Sequence, residues 1–241
     1  MALTVASLAG VRRPCRRFCS TILLHFLRAL SQRQCPKAAA WPPHSERELR
    51  SLISILLWFA AGSAIGSASD AAKIVAGARE QLSWGTKYDP SYVRMKYPGG
   101  DVPKTKGVCT DVVIRAFRKA GFDLQKLIHE DKKMAPSAYP KYPGSRALDS
   151  NIDHRRVPNQ MVFFKRHGLT LAKKVSPETL KDWKPGDVVC WKLDSGLDHI
   201  GIITDEKNMR GVPWVIHNLS TPQEEACLTD WKITGHFRYP K

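Results

Sequence analysis

Two kinds of apolar spacing divide this chain, and their order constrains the fold more than any other feature. In the first half, apolar residues recur every three or four positions. Ile74, Val75, Ala78 and Leu82 form one set; Val112, Val113, Ala116, Phe117 and Ala120 follow Cys109 in another. Each set makes one face of a helix. In the second half the apolar runs are short and bounded by turn residues: Val188 to Lys192, Asp198 to Thr204, Trp214 to Asn218 and Lys232 to Tyr239. These read as strands, the first launched by the turn Trp183-Lys184-Pro185-Gly186-Asp187. Helices first and an antiparallel sheet after predict an α+β domain. Gly121 stands where the second helix needs a C-terminal glycine. Residues 122–160 are polar and proline-bearing, with one short helix expected over Leu124 to Asp131, and Val162 to His167 reads as a helical turn or a strand.

The folded domain is expected to span 69–241. Residues 51–69 carry no charged side chain; Arg47 and Arg50 precede an apolar stretch from Leu52 to Ala61, and small residues follow. This is the layout of a signal peptide ending near Ala68, with an uncleaved membrane anchor over 51–68 as the competing reading. Residues 1–50 read as a non-structural extension, from a start assigned too far upstream or from targeting. The formal net charge of +16 is therefore misleading. Residues 1–68 hold nine basic and two acidic side chains, leaving 29 and 20 in the domain. The basic residues are scattered and lack any nucleic-acid signature, so no nucleic-acid partner is expected. An exported protein, periplasmic or secreted, fits this layout. Oligomeric state is not legible.

Three of the six cysteines fall in the domain: Cys109, Cys190 and Cys227. An odd number leaves a thiol free. If Cys190 and Cys227 pair, Cys109 is the one left over. Cys109 opens its helix, where unpaired backbone N–H groups and the dipole favour a thiolate. The plainer reading is a small buried apolar residue at a helix start. Two downstream histidines weigh against it. His199 and His217 stand on strand runs, as a nucleophilic site needs of its base. His199, beside Gly201, is the expected base. His217 or Asn218 would hold the ring's other nitrogen; as strand neighbours they face opposite ways, so only one can. The backbone N–H of Cys109 would meet an oxyanion. Asp149 to Asn159 is a dense polar segment. It reads either as a solvated turn or as a substrate loop in which Arg155 or Arg156 holds a carboxylate, and Asp153-His154 offers a rival base. There is no Cys-x-x-Cys and no His-Glu-x-x-His, so neither metal nor organic cofactor is called for.

Gly107-Val108-Cys109-Thr110-Asp111-Val112-Val113, Asp149-Ser150-Asn151-Ile152-Asp153-His154-Arg155-Arg156-Val157-Pro158, Pro185-Gly186-Asp187-Val188-Val189, Asp198-His199-Ile200-Gly201-Ile202 and His217-Asn218 together resemble a bacterial domain family of unknown function, the YijF-like group. The likeness covers roughly 72–240. That group is in turn similar to the NlpC-type cell-wall peptidases of the papain-like superfamily. The resemblance implies a papain-like (NlpC-type) fold, with the helix-start cysteine packed on an antiparallel sheet. It also implies Cys109 as nucleophile, His199 as base and His217 at the third polar position; Asn218, Asp111, Asp153, His154, Arg155 and Arg156 are the residues expected to bind substrate or support the site. An exported thiol hydrolase of peptide or amide bonds in peptidoglycan is the function implied. The departure is at the nucleophile, where the NlpC-type motif reads Asp-Cys-Ser-Gly and this chain has Val108-Cys109-Thr110-Asp111. That departure keeps two alternatives in view: a non-catalytic envelope-binding module on the same fold, and an acyl or thioester transferase.

Overall fold

The computed structural model describes residues 70–144 and 147–241. The expected extension over 1–50 and the signal or anchor over 51–68 lie outside the described residues. The fold is α+β. A helix over 70–79 (α1) runs into a 3-10 turn at Glu80–Ser83. Three more helices follow: α2 (Cys109–Lys119), α3 (Leu124–Met134) and α4 (Val157–His167). The stretch 162–167 is thus helical, the end of α4 rather than a strand. Pro158 lies in the first turn of α4, where its missing N–H costs nothing.

Two short parallel strands, β1 (Lys87–Tyr88) and β2 (Lys106–Gly107), bracket the loop before α2. The main sheet holds β3 (Leu169–Thr170), β4 (Val188–Lys192), β5 (Asp198–Lys207), β6 (Pro213–Asn218), β7 (Pro222–Glu225) and β8 (Lys232–Arg238). Their spatial order is β3-β8-β4-β5-β6-β7, all antiparallel. β7 is an edge strand of four residues, Pro-Gln-Glu-Glu, whose polar composition and leading proline gave no alternating signal.

Side chains alternate across each strand, so the sheet separates two apolar clusters. Val188 and Cys190 of β4, Ile200 and Ile202 of β5, Ile216 of β6 and Phe237 of β8 pack beneath the helices with Cys109, Val112, Val113, Ala116 and Phe117. Val189, Trp191, Ile203 and Val215 turn to the other face and pack with Trp183, Cys227, Leu228 and Trp231. Cys190 and Cys227 therefore lie on opposite faces, and all three cysteines of the domain are free thiols. The conditional disulfide does not form.

α2 anchors the helical face, and both its ends have local causes. At the start, the Asp111 carboxylate accepts the N–H of Val108 at 2.7 Å, tying the third helical residue back to the cap. At the end, Gly121 takes φ +92°, its N–H reaches the Arg118 carbonyl, and the N–H of Phe122 reaches the Phe117 carbonyl. This is the paired bonding of a Schellman stop. The Phe117 and Phe122 rings meet edge to face at 6.4 Å across it.

Candidate functional site

Asp111 is the keystone beneath Cys109. It is buried, and besides the cap it receives Arg155 in a two-pronged ion pair, Nε and one terminal nitrogen each at 2.9 Å. Arg155 also donates to the carbonyls of Ser91 and Asp89. With its guanidinium committed and buried, Arg155 holds the loop and the helix start together. Both arginines line the groove at Cys109; Arg155 is engaged in these bonds, whereas the Arg156 guanidinium lies 3.8 Å from the centre of the Tyr142 ring.

The rest of the polar segment starts as a half-buried turn over 150–152, in which Asp149 accepts the N–H of Asn151, and continues as a buried 3-10 turn tied by internal bonds. Asp153 pairs with Lys132 at 2.7 Å and accepts the N–H of Asp149; Asn159 donates to the Asp153 carbonyl and Gln160 to that of His154. His154 is buried and hydrogen-bonds to none of the groups at Cys109. Burial pushes its imidazole down to about 4. Its Nδ1 is buried and makes no hydrogen bond to any described residue.

Cys109 stands in the wall of a groove of about 370 Å³, with Tyr88, Val108, Arg156 and Asp198 among its neighbours there. The thiol is nonetheless buried. It lies against the backbone N–H of Ile200, the residue that follows His199 on β5. Burial, with the charge of Asp111 adding to it, pushes the thiol up to about 12; N–H groups of Ile200 and Thr110 oppose this. The helix-end thiolate expected from sequence is therefore not the resting form. Desolvation is the largest influence on the thiol and outweighs the N–H groups at the helix end.

His199 leaves β5 on the face opposite Ile200. There its Nε2 lies 2.9 Å from Nδ1 of His217, and His217 Nε2 lies 2.7 Å from Oε1 of Glu225. Trp191 stacks along His199 at 5.7 Å, and Trp231 stands edge-on to both imidazoles. Burial pushes His199 down to about 3, with His217 adding to the shift, and lowers His217 against the pull of Glu225. Both rings are neutral, and their tautomers follow from the end of the chain of bonds. A carboxylate only accepts, so His217 donates from Nε2 and accepts at Nδ1. His199 must then donate from Nε2, which leaves the lone pair on Nδ1. That nitrogen makes no hydrogen bond to any described residue.

His217 is the side chain that meets the His199 ring. Asn218 turns to the helix side and donates to the Gly107 carbonyl at 3.4 Å. Gly201 faces the histidine pair and is required there: a Cβ would lie 2.7 Å from Cγ1 of Val215 and 3.2 Å from Cβ of His217. Among the described residues no hydrogen bond joins Sγ of Cys109 to His199 or His217. β5 links the two without joining them: its Ile200 N–H meets the sulfur on the helix side, and its His199 ring enters the relay on the opposite face of the sheet.

Sequence reasoning did not foresee Glu225. Its strand lacks a periodic signal, and it reaches His217 from a position paired with Val215 in the register of β6 and β7.

A raised thiol has a measurable consequence. Alkylation of Cys109 in the free protein at pH 7 should run on the order of a thousandfold below a model thiol, since each unit of pKa is a factor of ten. The rate should still be rising with pH above 10, as followed by mass spectrometry of the labelled peptide. A plateau below pH 8 would contradict the burial.

The family described as a domain of unknown function (DUF1287) has a model that matches residues 75–239. The uncharacterized protein YijF of Escherichia coli (strain K12) is 48% identical over 167 residues, which cover 69% of this chain and 80% of that protein.

Proposed function

The chain belongs to the DUF1287 family, and from that premise and the arrangement at Cys109 we propose an exported thiol hydrolase with a papain-like, NlpC-type fold that cleaves peptide or amide bonds in peptidoglycan. The observation that carries this reading is the bonded row His199–His217–Glu225. It fixes the tautomer that leaves His199 with an unspent lone pair, on the strand whose next N–H touches the Cys109 thiol.

Substrate lies in the groove with its carbonyl carbon facing Sγ. As the S–C bond forms, the thiol proton passes through water, round the start of β5, to Nδ1 of His199 on the other face of the sheet, and Glu225 steadies the positive charge through His217. The oxyanion is met by the backbone N–H of Cys109 at the start of α2. Nδ1–H then protonates the leaving amine as the C–N bond breaks, and water releases the acyl group by the same route. A neutral thiol and a neutral imidazole at rest mean that proton transfer accompanies attack. Export to the periplasm or beyond, through the 51–68 segment, would place this chemistry at the wall; no cofactor takes part in it.

Digestion tests the reading. Purified peptidoglycan incubated with the chain should yield fragments with new amino and carboxyl termini, and Cys109→Ala should yield none. Wall that is bound equally by both proteins and left intact would replace hydrolysis with binding, a reading favoured by the neutral thiol. An acylated Cys109 that passes its group to an added amine rather than to water would make the activity a transfer.

A further inference from the structure

The far end of the histidine relay holds a second possibility. One ring nitrogen of His217, one carboxylate oxygen of Glu225 and Sγ of Cys227 lie within 4.8 Å of one another. Nδ1 of His217 is taken by His199, so the nitrogen offered is Nε2, the one already 2.7 Å from Glu225. The three donors come from β6, from the end of β7 and from the turn just after it, so the edge of the sheet brings them together. His217 and Cys227 are buried, while the Glu225 side chain is 45% exposed and leaves a path from solvent. We propose that His217, Glu225 and Cys227 bind a single divalent cation of the zinc class, and that its binding switches off the relay on which the proposed hydrolase depends.

The donor set chooses the ion. One thiolate, one imidazole and one carboxylate suit zinc, or cobalt in its place, and discriminate against magnesium and calcium, which want oxygen alone. Metal–ligand bonds of about 2.0–2.3 Å put tetrahedral donors roughly 3.5 Å apart. The cluster needs Cys227 to close by about an ångström and Glu225 to swing from the histidine to the ion. An exposed glutamate at the end of an edge strand can make that movement. Three protein donors leave the fourth position to water.

The switch follows from proton bookkeeping. Cys227 gives its thiol proton to solvent, as a bound cation requires. The proton on His217 Nε2 leaves, because the ion takes that lone pair. Nδ1 of His217 then carries the hydrogen and donates it to His199 Nε2. A proton from solvent enters at His199 Nδ1, so one proton in all is released for each ion bound. His199 Nδ1 becomes a donor, and the lone pair that would receive the Cys109 proton is gone.

Cobalt binding to the reduced full-length chain, read as thiolate-to-cobalt charge-transfer absorption, tests the site without any turnover. Cysteines also occur in residues 1–68, so the readout is the difference between proteins. The wild type should take up one equivalent more than Cys227→Ala, and Glu225→Gln, whose side chain sits at the surface, should bind that equivalent at least about tenfold more weakly. Zinc should displace the cobalt, and magnesium in large excess should not. Identical titrations for wild type and Glu225→Gln would overturn the site even if Cys227→Ala folds poorly. If cobalt binds as expected but the protein digests no wall, the ion site stands and the hydrolase reading falls. If wall is digested and the extra equivalent is missing, only the ion site falls.

Discussion

Asp111→Ala should destabilise the domain by about 3–5 kcal/mol, the usual cost of leaving one partner of a buried ion pair alone. Both side chains of the Asp111–Arg155 pair are almost wholly buried, at 3% and 2% exposure. The substitution strips Arg155 of its two charge-assisted bonds and takes the acceptor from the Val108 N–H at the start of α2. Single domains are stable by only about 5–15 kcal/mol, so a loss of this size brings the protein near its unfolding limit. Thermal or urea unfolding should show it. The double variant Asp111→Ala with Arg155→Met should recover part of the loss, because no lone charge then remains buried. A change below about 1 kcal/mol would mean that water reaches Arg155.

His199→Gln should lower turnover of peptidoglycan by on the order of 10²–10⁴ while leaving wall binding unchanged, since a positioned general base contributes about that much. Its removal should also be visible without substrate. The folded-state imidazole is held near 3, below the ordinary value of 6.5. In that interval the unfolded chain binds the proton and the folded chain does not. Stability therefore falls as pH drops from about 6.5 toward 3, and the contribution is intact above that range. The wild type should lose stability over this window by more than His199→Gln does, by an amount of order 1–3 kcal/mol. Equal acid sensitivity in the two proteins would show that His199 is hydrated.

The parts of this molecule that could be read in advance are those whose side chains repeat. The helix from Cys109 and the strands around His199 and His217 carry strong periodicity, since each buries one face. Residues 162–167 were ambiguous because Val162, Phe163 and Phe164 are contiguous, and a run of three apolar residues fits either period. β7 was invisible because an edge strand of Pro-Gln-Glu-Glu buries almost nothing in alternation. Glu225 was missed with it. The pairing of His217 with His199 could be narrowed by strand parity to one of two residues, and the register resolves it. Parity also determines the fate of Cys190 and Cys227, but only once each is assigned a face. The thiol's charge state was misjudged for another reason: a helix start can be recognised in a sequence, whereas the depth to which it is buried cannot.

The bond from Arg155 to Asp111 spans 44 residues of chain, and that from Asn218 to Gly107 spans 111. A polypeptide emerging from the ribosome therefore carries Cys109 long before it carries the groups that define the cysteine's surroundings. A nascent chain ending anywhere before residue 155 leaves the Asp111 carboxylate without its cation, and one ending before residue 225 leaves the histidines without the acceptor that orients them. Only a chain that reaches residue 225 holds the whole arrangement.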